Sequence, residues 1–236
     1  MANIQSGGEC YLCKKTFGKR SMSAHLRSCR EKNGTIPKRS RKTQALHLVV
    51  EGEYEKTYWM HLEADVKATL EDLDDLLRHT WLECCGHMSA FESMKKKQPV
   101  GPFVSLEPFD VADLSDSFQS GELDFSTTLG ESLPPKENLR YTYDFGSSTI
   151  LLIRSLSLRE TKLPAKSIEI QSRNLPPEIL CGICDQPATQ VCTECSYEPE
   201  GWMCDDCFED HECDESISLP VVNSPRVGVC GYMGEE

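Results

Sequence analysis

From Cys181 to Cys213 the chain reads CGICDQPATQVCTECSYEPEGWMCDDCFEDHEC, with seven cysteines and one histidine in 33 residues. The spacing is C-x2-C-x7-C-x2-C-x8-C-x2-C-x3-H-x-C, three CxxC knuckles followed by an HxC. Eight soft or borderline ligands in pairs fill two tetrahedral metal sites. The candidate ligands are Cys181, Cys184, Cys192, Cys195, Cys204, Cys207, His211 and Cys213. Two arrangements fit the spacing. In a sequential one, the first two knuckles share one ion. In a cross-brace, Cys181 and Cys184 join Cys204 and Cys207, while Cys192 and Cys195 join His211 and Cys213. Cys230, in GVCGY, is either a rival to Cys213 as last ligand or a spare thiol. Redox chemistry also uses CxxC, and iron–sulfur clusters use cysteine; three regular knuckles with a histidine suit Zn²⁺ better.

The compartment bears on this reading. The opening residues MANIQSGGEC lack a basic and an apolar region of the signal-peptide kind, and no apolar run approaches the ~18 residues of a membrane span. A cytoplasmic chain is therefore expected, in which clustered cysteines bind metal rather than pair. Eleven of the 13 cysteines fall near the two ends; Cys84 and Cys85 alone lie in the middle. At 236 residues, with a hydrophobic fraction of 39%, the length predicts one mid-sized domain and one or two small modules.

The N-terminal module, CYLCKKTFGKRSMSAHLRSC, has the spacing C-x2-C-x11-H-x3-C, with Cys10, Cys13, His25 and Cys29 as ligands. A knuckle plus two ligands one helical turn apart closes a tetrahedron around Zn²⁺. A helix is expected from about Gly18 to Arg30, with Phe17, Met22 and Leu26 as a minimal core. The pattern resembles the two-Cys two-His finger family, one residue short in the loop and with cysteine last. With the C-terminal pair, three zinc ions per chain are expected.

Charge divides the chain in the same places. Residues 1–43 carry 11 Lys+Arg against Glu9 and Glu31, a net of +9, so the remainder carries −22 to reach the total of −13. A basic arm on an acidic body points to polyanion contact. Lys19, Arg20, Arg27, Arg30, Lys38, Arg39, Arg41 and Lys42 are the candidate nucleic-acid contacts, suited to phosphates. The stretch from Cys181 to Glu215 has 11 acidic residues and no Lys or Arg. It should repel nucleic acid and serve structure or a protein partner. Trp202 and Tyr197 are read there as small-core residues, with partner anchors as the alternative.

Residues 44–170 read as an α+β domain: a small mixed sheet with helices, flanked by modules at 1–43 and 171–236. ALHLVVEG (45–52), YWMHLEAD (58–65), HMSAFES, RYTYDFG and STILLIRSLSLRE have strand character, with a turn at Gly146. Leu70, Leu73, Leu76, Leu77 and Trp81 recur at helical spacing behind an N-cap at Thr69, with Asp72 three residues on. Residues 95–137 are expected to be an excursion with short elements of its own. The tail SISLPVVNSPRVGVCGYMGEE is apolar enough to pack back on the body.

W-x5-H-x3-F at Trp81, His87 and Phe91, a TLGESL segment at 128–133, and YTYDFG at 141–146 resemble the family named after the third open reading frame of the Ri plasmid. The likeness covers about 120 residues and implies an α+β core of prokaryotic type, with no assigned activity. Where many members continue Asp-x-Trp-x-His after that glycine, this chain has SSTILL. The C-terminal module resembles B-box and related cross-brace fingers with a short final spacing.

Three motifs admit a catalytic reading. The DFG of 144–146 lacks the Gly-rich loop, lysine and HRD of a kinase. Cys84-Cys85-Gly86-His87 reads as a helix end against a histidine rather than a nucleophile and base. The acidic runs EDLDD and DVADLSD read as a solvated helix face and a loop. The function expected is that of a non-enzymatic zinc protein meeting nucleic acid through residues 1–43, with a pure protein adaptor as alternative. An enzyme with a pocket near Trp81, His87, Tyr143 and Asp144 is the third reading.

Overall fold

A computed structural model of the chain describes residues 7–34, 40–94 and 121–235. Eight strands form one antiparallel sheet: β1 (Gly7–Cys10), β2 (Thr16–Gly18), β3 (Arg41–Gly52), β4 (Trp59–Asp65), β5 (Ser89–Ser93), β6 (Asn138–Tyr143), β7 (Thr149–Leu163) and β8 (Ile168–Asn174). Their order is β2-β1-β8-β4-β3-β7-β6-β5. The class is α+β, as the residues indicate, but the sheet is larger than expected and every pairing among its described strands is antiparallel. Two causes enlarge it. IEIQSRN, which carries no strong strand signal, pairs with β4 as β8, and the N-terminal hairpin then adds to the β8 edge.

Strand β3 from Ala45 onward and the whole of β4 are buried on both faces, and the two faces differ in chemistry. On one, Leu46, Leu48, Val50, Met60 and Leu62 meet Leu70, Leu73, Leu77 and Trp81 in the main apolar core. Those last four come from α2 (Leu70–Leu77) and a π-helical turn, Arg78–Leu82. The Thr69 hydroxyl accepts from the Asp72 amide, and the Asp72 carboxylate accepts from the Thr69 amide at 2.8 Å. The capping box thus closes both orphan donors and fixes where the helix begins. A second box, Thr128 with Glu131, starts the short α3 (Leu129–Ser132) within the TLGESL segment.

On the opposite face stand Trp59, His61, Glu63, His47 and Glu51, all buried. They are covered by α1 (Lys19–Asn33), the helix of the N-terminal finger. The finger is therefore not a module set apart from a core beginning at residue 44: β1 hydrogen-bonds to β8 and Trp59 lies in the finger's own apolar cluster with Met22 and Leu26. Gly8 allows this closeness, since a Cβ there would collide with the Trp59 ring and the Arg173 carbonyl.

A separate three-stranded sheet, β10-β9-β11, organises the C-terminal module. It comprises β9 (Gln190–Cys192), β10 (Trp202–Met203) and β11 (Ser218–Pro220), with α4 (Asp205–Phe208) alongside. The tail beyond β11 returns to the core as anticipated. Ser224 donates to the Trp81 carbonyl at 2.6 Å, Arg226 is wholly buried against Asp144 at 2.7 Å, and Tyr232 is buried. Of the expected excursion at 95–137, residues 95–120, with the DVADLSD run, lie outside the described residues. No described helix is long and apolar enough to cross a membrane.

Candidate metal centres

In the finger, Cys10 ends β1, Cys13 lies in the turn before β2, and α1 carries His25 and Cys29 on one face. The turn is closed by the Lys14 amide donating to the Cys10 carbonyl at 2.8 Å, with Lys14 in the left-handed region at φ 60°. Cys10 Sγ lies 3.8 Å from Cys29 Sγ, and Cys13 Sγ lies 3.3 Å from His25 Nε2. Phe17 stacks on the His25 ring at 3.8 Å and sets its orientation, while Asn33 Nδ2 donates to Cys29 Sγ at 3.2 Å. Such outer contacts orient ligands around a metal.

The C-terminal module is a cross-brace. Cys181, Cys184, Cys204 and Cys207 converge in one group, and Cys192, Cys195, His211 and Cys213 in another. Strand β9 leads to the second knuckle and β10 to the third, so pairing β9 with β10 interleaves the ligand pairs. Two glycines permit the tight crossing: a Cβ on Gly182 would strike the Pro199 carbonyl, and one on Gly201 the Cys195 carbonyl. Cys213, rather than Cys230, completes the second group, with Sγ 3.7 Å from Cys195 Sγ.

The residues fit zinc by three observations. Within each group all ligand atoms lie within 4.8 Å of one another. The sulfur pairs stand 3.5–3.8 Å apart, which matches the ~3.8 Å edge of a tetrahedron with Zn–S near 2.3 Å and is far beyond a disulfide. His211 Nε2 is enclosed with no hydrogen-bond partner in range among the described residues, and the His211 ring belongs to the group of Cys192, Cys195 and Cys213. The enclosed nitrogen and the sulfur spacing are both compatible with an ion.

A fourth group, Cys84, Cys85, His87 and Cys230, meets the same distance criterion. The expectation of three ions therefore falls one candidate site short. The reason is topological: Cys230 approaches His87 across 143 residues of chain, and no spacing rule reaches that far. Cys230 lies with this group and not with Cys213.

The basic residues are used in two ways. Arg30 is buried, its Nε 3.3 Å from Glu63 and 3.2 Å from Gln171 Oε1; burial pulls its pKa down to about 10. Lys19 is bound to Glu51, and burial lowers its pKa as well. These two candidate phosphate contacts are turned inward as the bolts that hold α1 to the sheet. Arg41 and Lys42, at the start of β3, are exposed and lie 3.7 Å from Asp65 and 2.8 Å from Glu160. Arg20 and Arg27 are exposed on α1, with Lys15 and Lys32 nearby in the finger. Among the described residues no carboxylate pairs with these four. Lys38 and Arg39 lie outside the described residues.

All 11 acidic residues between Cys181 and Glu215 are exposed. Trp202 is half-buried and donates to the Ser196 carbonyl at 3.0 Å, as a small-core residue should. Tyr197 does not follow it: the side chain is 93% exposed. Near the expected pocket, Arg226 donates to Asp144 and holds its carboxyl down at about 2, and Trp81 and Tyr143 are fully buried.

No family model and no curated protein matches the chain. Among solved structures it is similar to a protein of unknown function from Methanosarcina mazei, at 18% identity and a TM-score of 0.35 over 54% of this chain and 67% of that one.

Proposed function

We propose that the chain is a zinc-organised binding protein without catalytic chemistry of its own, whose N-terminal finger contacts the phosphates of a nucleic acid. The observation that carries this is the free cationic surface of the finger: Arg20, Arg27, Lys15 and Lys32 are exposed and, among the described residues, unpaired with carboxylates. Zinc fixes that surface by joining the knuckle to α1, and the sheet fixes it again through β1 and Trp59. Lys42 extends the surface, since its exposed ion pair with Glu160 is worth little and phosphates compete with it, whereas Arg41 faces the buried Asp65. Binding of this kind releases counterions and carries no base readout.

The test is fluorescence anisotropy of labelled single-stranded and duplex DNA and RNA across a salt series. The intact chain should bind more tightly as salt falls. The R20A/R27A double variant should flatten the slope of log K against log salt by ~1.4–1.8 if each arginine meets one phosphate. No binding by the intact chain at low salt would remove this reading. Deleting residues 1–43 is a poor control, because it also strips β1 from β8 and uncovers Trp59.

One observation favours a second role for the other end. Tyr197 stands exposed among the exposed carboxylates of Glu194, Glu198 and Glu200. An aromatic ring in an acidic field suits a basic peptide segment, with the ring as anchor. Tyr197→Ala should then weaken capture of lysine- and arginine-rich peptides while leaving nucleic-acid binding unchanged. Equal capture by the variant would remove the role.

A further inference from the structure

The turn Arg78–Leu82 is π-helical, a geometry that recurs at functional sites. The loop that follows is held from several sides. Arg78 donates to the His87 carbonyl at 2.8 Å, to Ser89 Oγ at 2.9 Å and to Glu83 at 2.8 Å. Glu83 in turn accepts from the Gly86 amide at 2.6 Å and from the Tyr143 hydroxyl at 3.2 Å. Gly86 takes the left-handed conformation at φ 69° with open space around it, which lets Cys85 and His87 face one point.

That point is met from the far end of the chain. Arg226 anchors the tail against Asp144, and four residues on, Cys230 adopts φ 56°. A non-glycine residue in that region carries a conformational cost and invites a reason. Its Sγ lies 3.9 Å from Cys85 Sγ and 3.4 Å from His87 Nε2. The 3.9 Å separation is close to the ~3.8 Å sulfur–sulfur edge of a zinc tetrahedron. Arg226 Nη2 also points at Cys84 Sγ from 3.5 Å, an outer contact that orients the sulfur. Asp144 Oδ2, 3.7 Å from His87 Nε2, does not complete the set: Arg226 holds that oxygen, and the amides of Gly146 and Ser147 hold Oδ1.

We propose that Cys84, Cys85, His87 and Cys230 form a fourth zinc site that fastens the C-terminal tail to the core. Three sulfurs and one imidazole are the donor set of the N-terminal finger and suit Zn²⁺. The ion links the loop after α2 to residues beyond β11, and so ties the cross-brace module to the sheet. The site stands independently of any nucleic-acid contact, because none of its ligands belongs to the finger.

The test is zinc content per chain by plasma mass spectrometry on the full-length protein and two variants. Four ions are expected in the native chain, matching its four ligand groups, and one fewer in Cys230→Ser. Cys230→His, which replaces one zinc ligand by another, should keep the native count, so that a fall in the serine variant is not merely lost folding. A native count one lower than expected, or an unchanged count in Cys230→Ser, would overturn the site. So would a Cys85–Cys230 disulfide found by peptide mapping of the zinc-loaded protein.

Discussion

Arg30 lies between α1 and the sheet, its side chain 5% exposed, with Glu63 and Gln171 as partners. Removing one member of a buried pair strands the other, at about 3–5 kcal/mol. Because Glu63 keeps Arg159, Arg30→Ala should cost ~3 kcal/mol in denaturant unfolding, near the low end of that range. Arg27→Ala, on the exposed side of the same helix, should stay within ~0.5 kcal/mol. Equal costs would contradict the placement of α1. Beneath Arg30, His47 Nε2 and His61 Nδ1 stand 2.9 Å apart. Burial first, and then the Arg30 charge, holds both pKa values down at about 3, with Arg159 acting further on His47. The sign follows from linkage: between pH 6.5 and about 3 the unfolded chain binds protons that the folded chain refuses. The stabilising share of the pair is complete above pH 6.5 and is lost as pH falls through that window. Histidine NMR should show two rings that stay neutral at pH 5; midpoints near 6.5 for both would contradict it. None of this was legible in the sequence, where Arg30 and Lys19 read as two more cations in a basic run. A run of like charge does not say which member meets a buried carboxylate from another element.

The α2 helix shows the opposite case. Its leucines recur at 3.6-residue spacing and its capping box is written in adjacent letters, so start, type and buried face were all legible. Thr69→Ala should cost about 1 kcal/mol through the cap, and Leu73→Ala about 2–5 kcal/mol through the cavity left in the core. Thermal unfolding checks both, and a smaller loss for Leu73→Ala than for Thr69→Ala would contradict the packing described. Strands β3 to β7 were legible for similar local reasons. Strands β1 and β8 were not, because Gly7 and Gly8 carry no strand signal of their own and IEIQSRN is polar at its end. They are strands because Trp59 needs a flat, side-chain-free neighbour, which Gly8 supplies, and because β8 covers the β4 edge.

At the scale of the molecule, clusters of metal-ligating side chains take the place of a second large core. Among the described residues, the three apolar clusters are one under the sheet, one in the finger and one made mostly of candidate-ligand cysteines. A small module of this kind draws its folding free energy from the ion. Stripping zinc with a chelator should therefore unfold residues 181–219 while β3, β4 and β7 keep their amide protection. Hydrogen exchange would show this directly, and uniform loss of protection would contradict it. The ligand types were readable from spacing alone; the choice between sequential and cross-braced pairing was not, because both satisfy the same intervals. That choice is made by β9 pairing with β10, a contact between short strands with no pattern of their own. The most direct test is proton–cadmium correlation NMR on the chain loaded with ¹¹³Cd. One cadmium should couple to the β-protons of Cys181, Cys184, Cys204 and Cys207, and another to those of Cys192, Cys195 and Cys213. A single cadmium coupled to Cys181, Cys184, Cys192 and Cys195 would contradict the cross-brace, and with it the account of how this module folds.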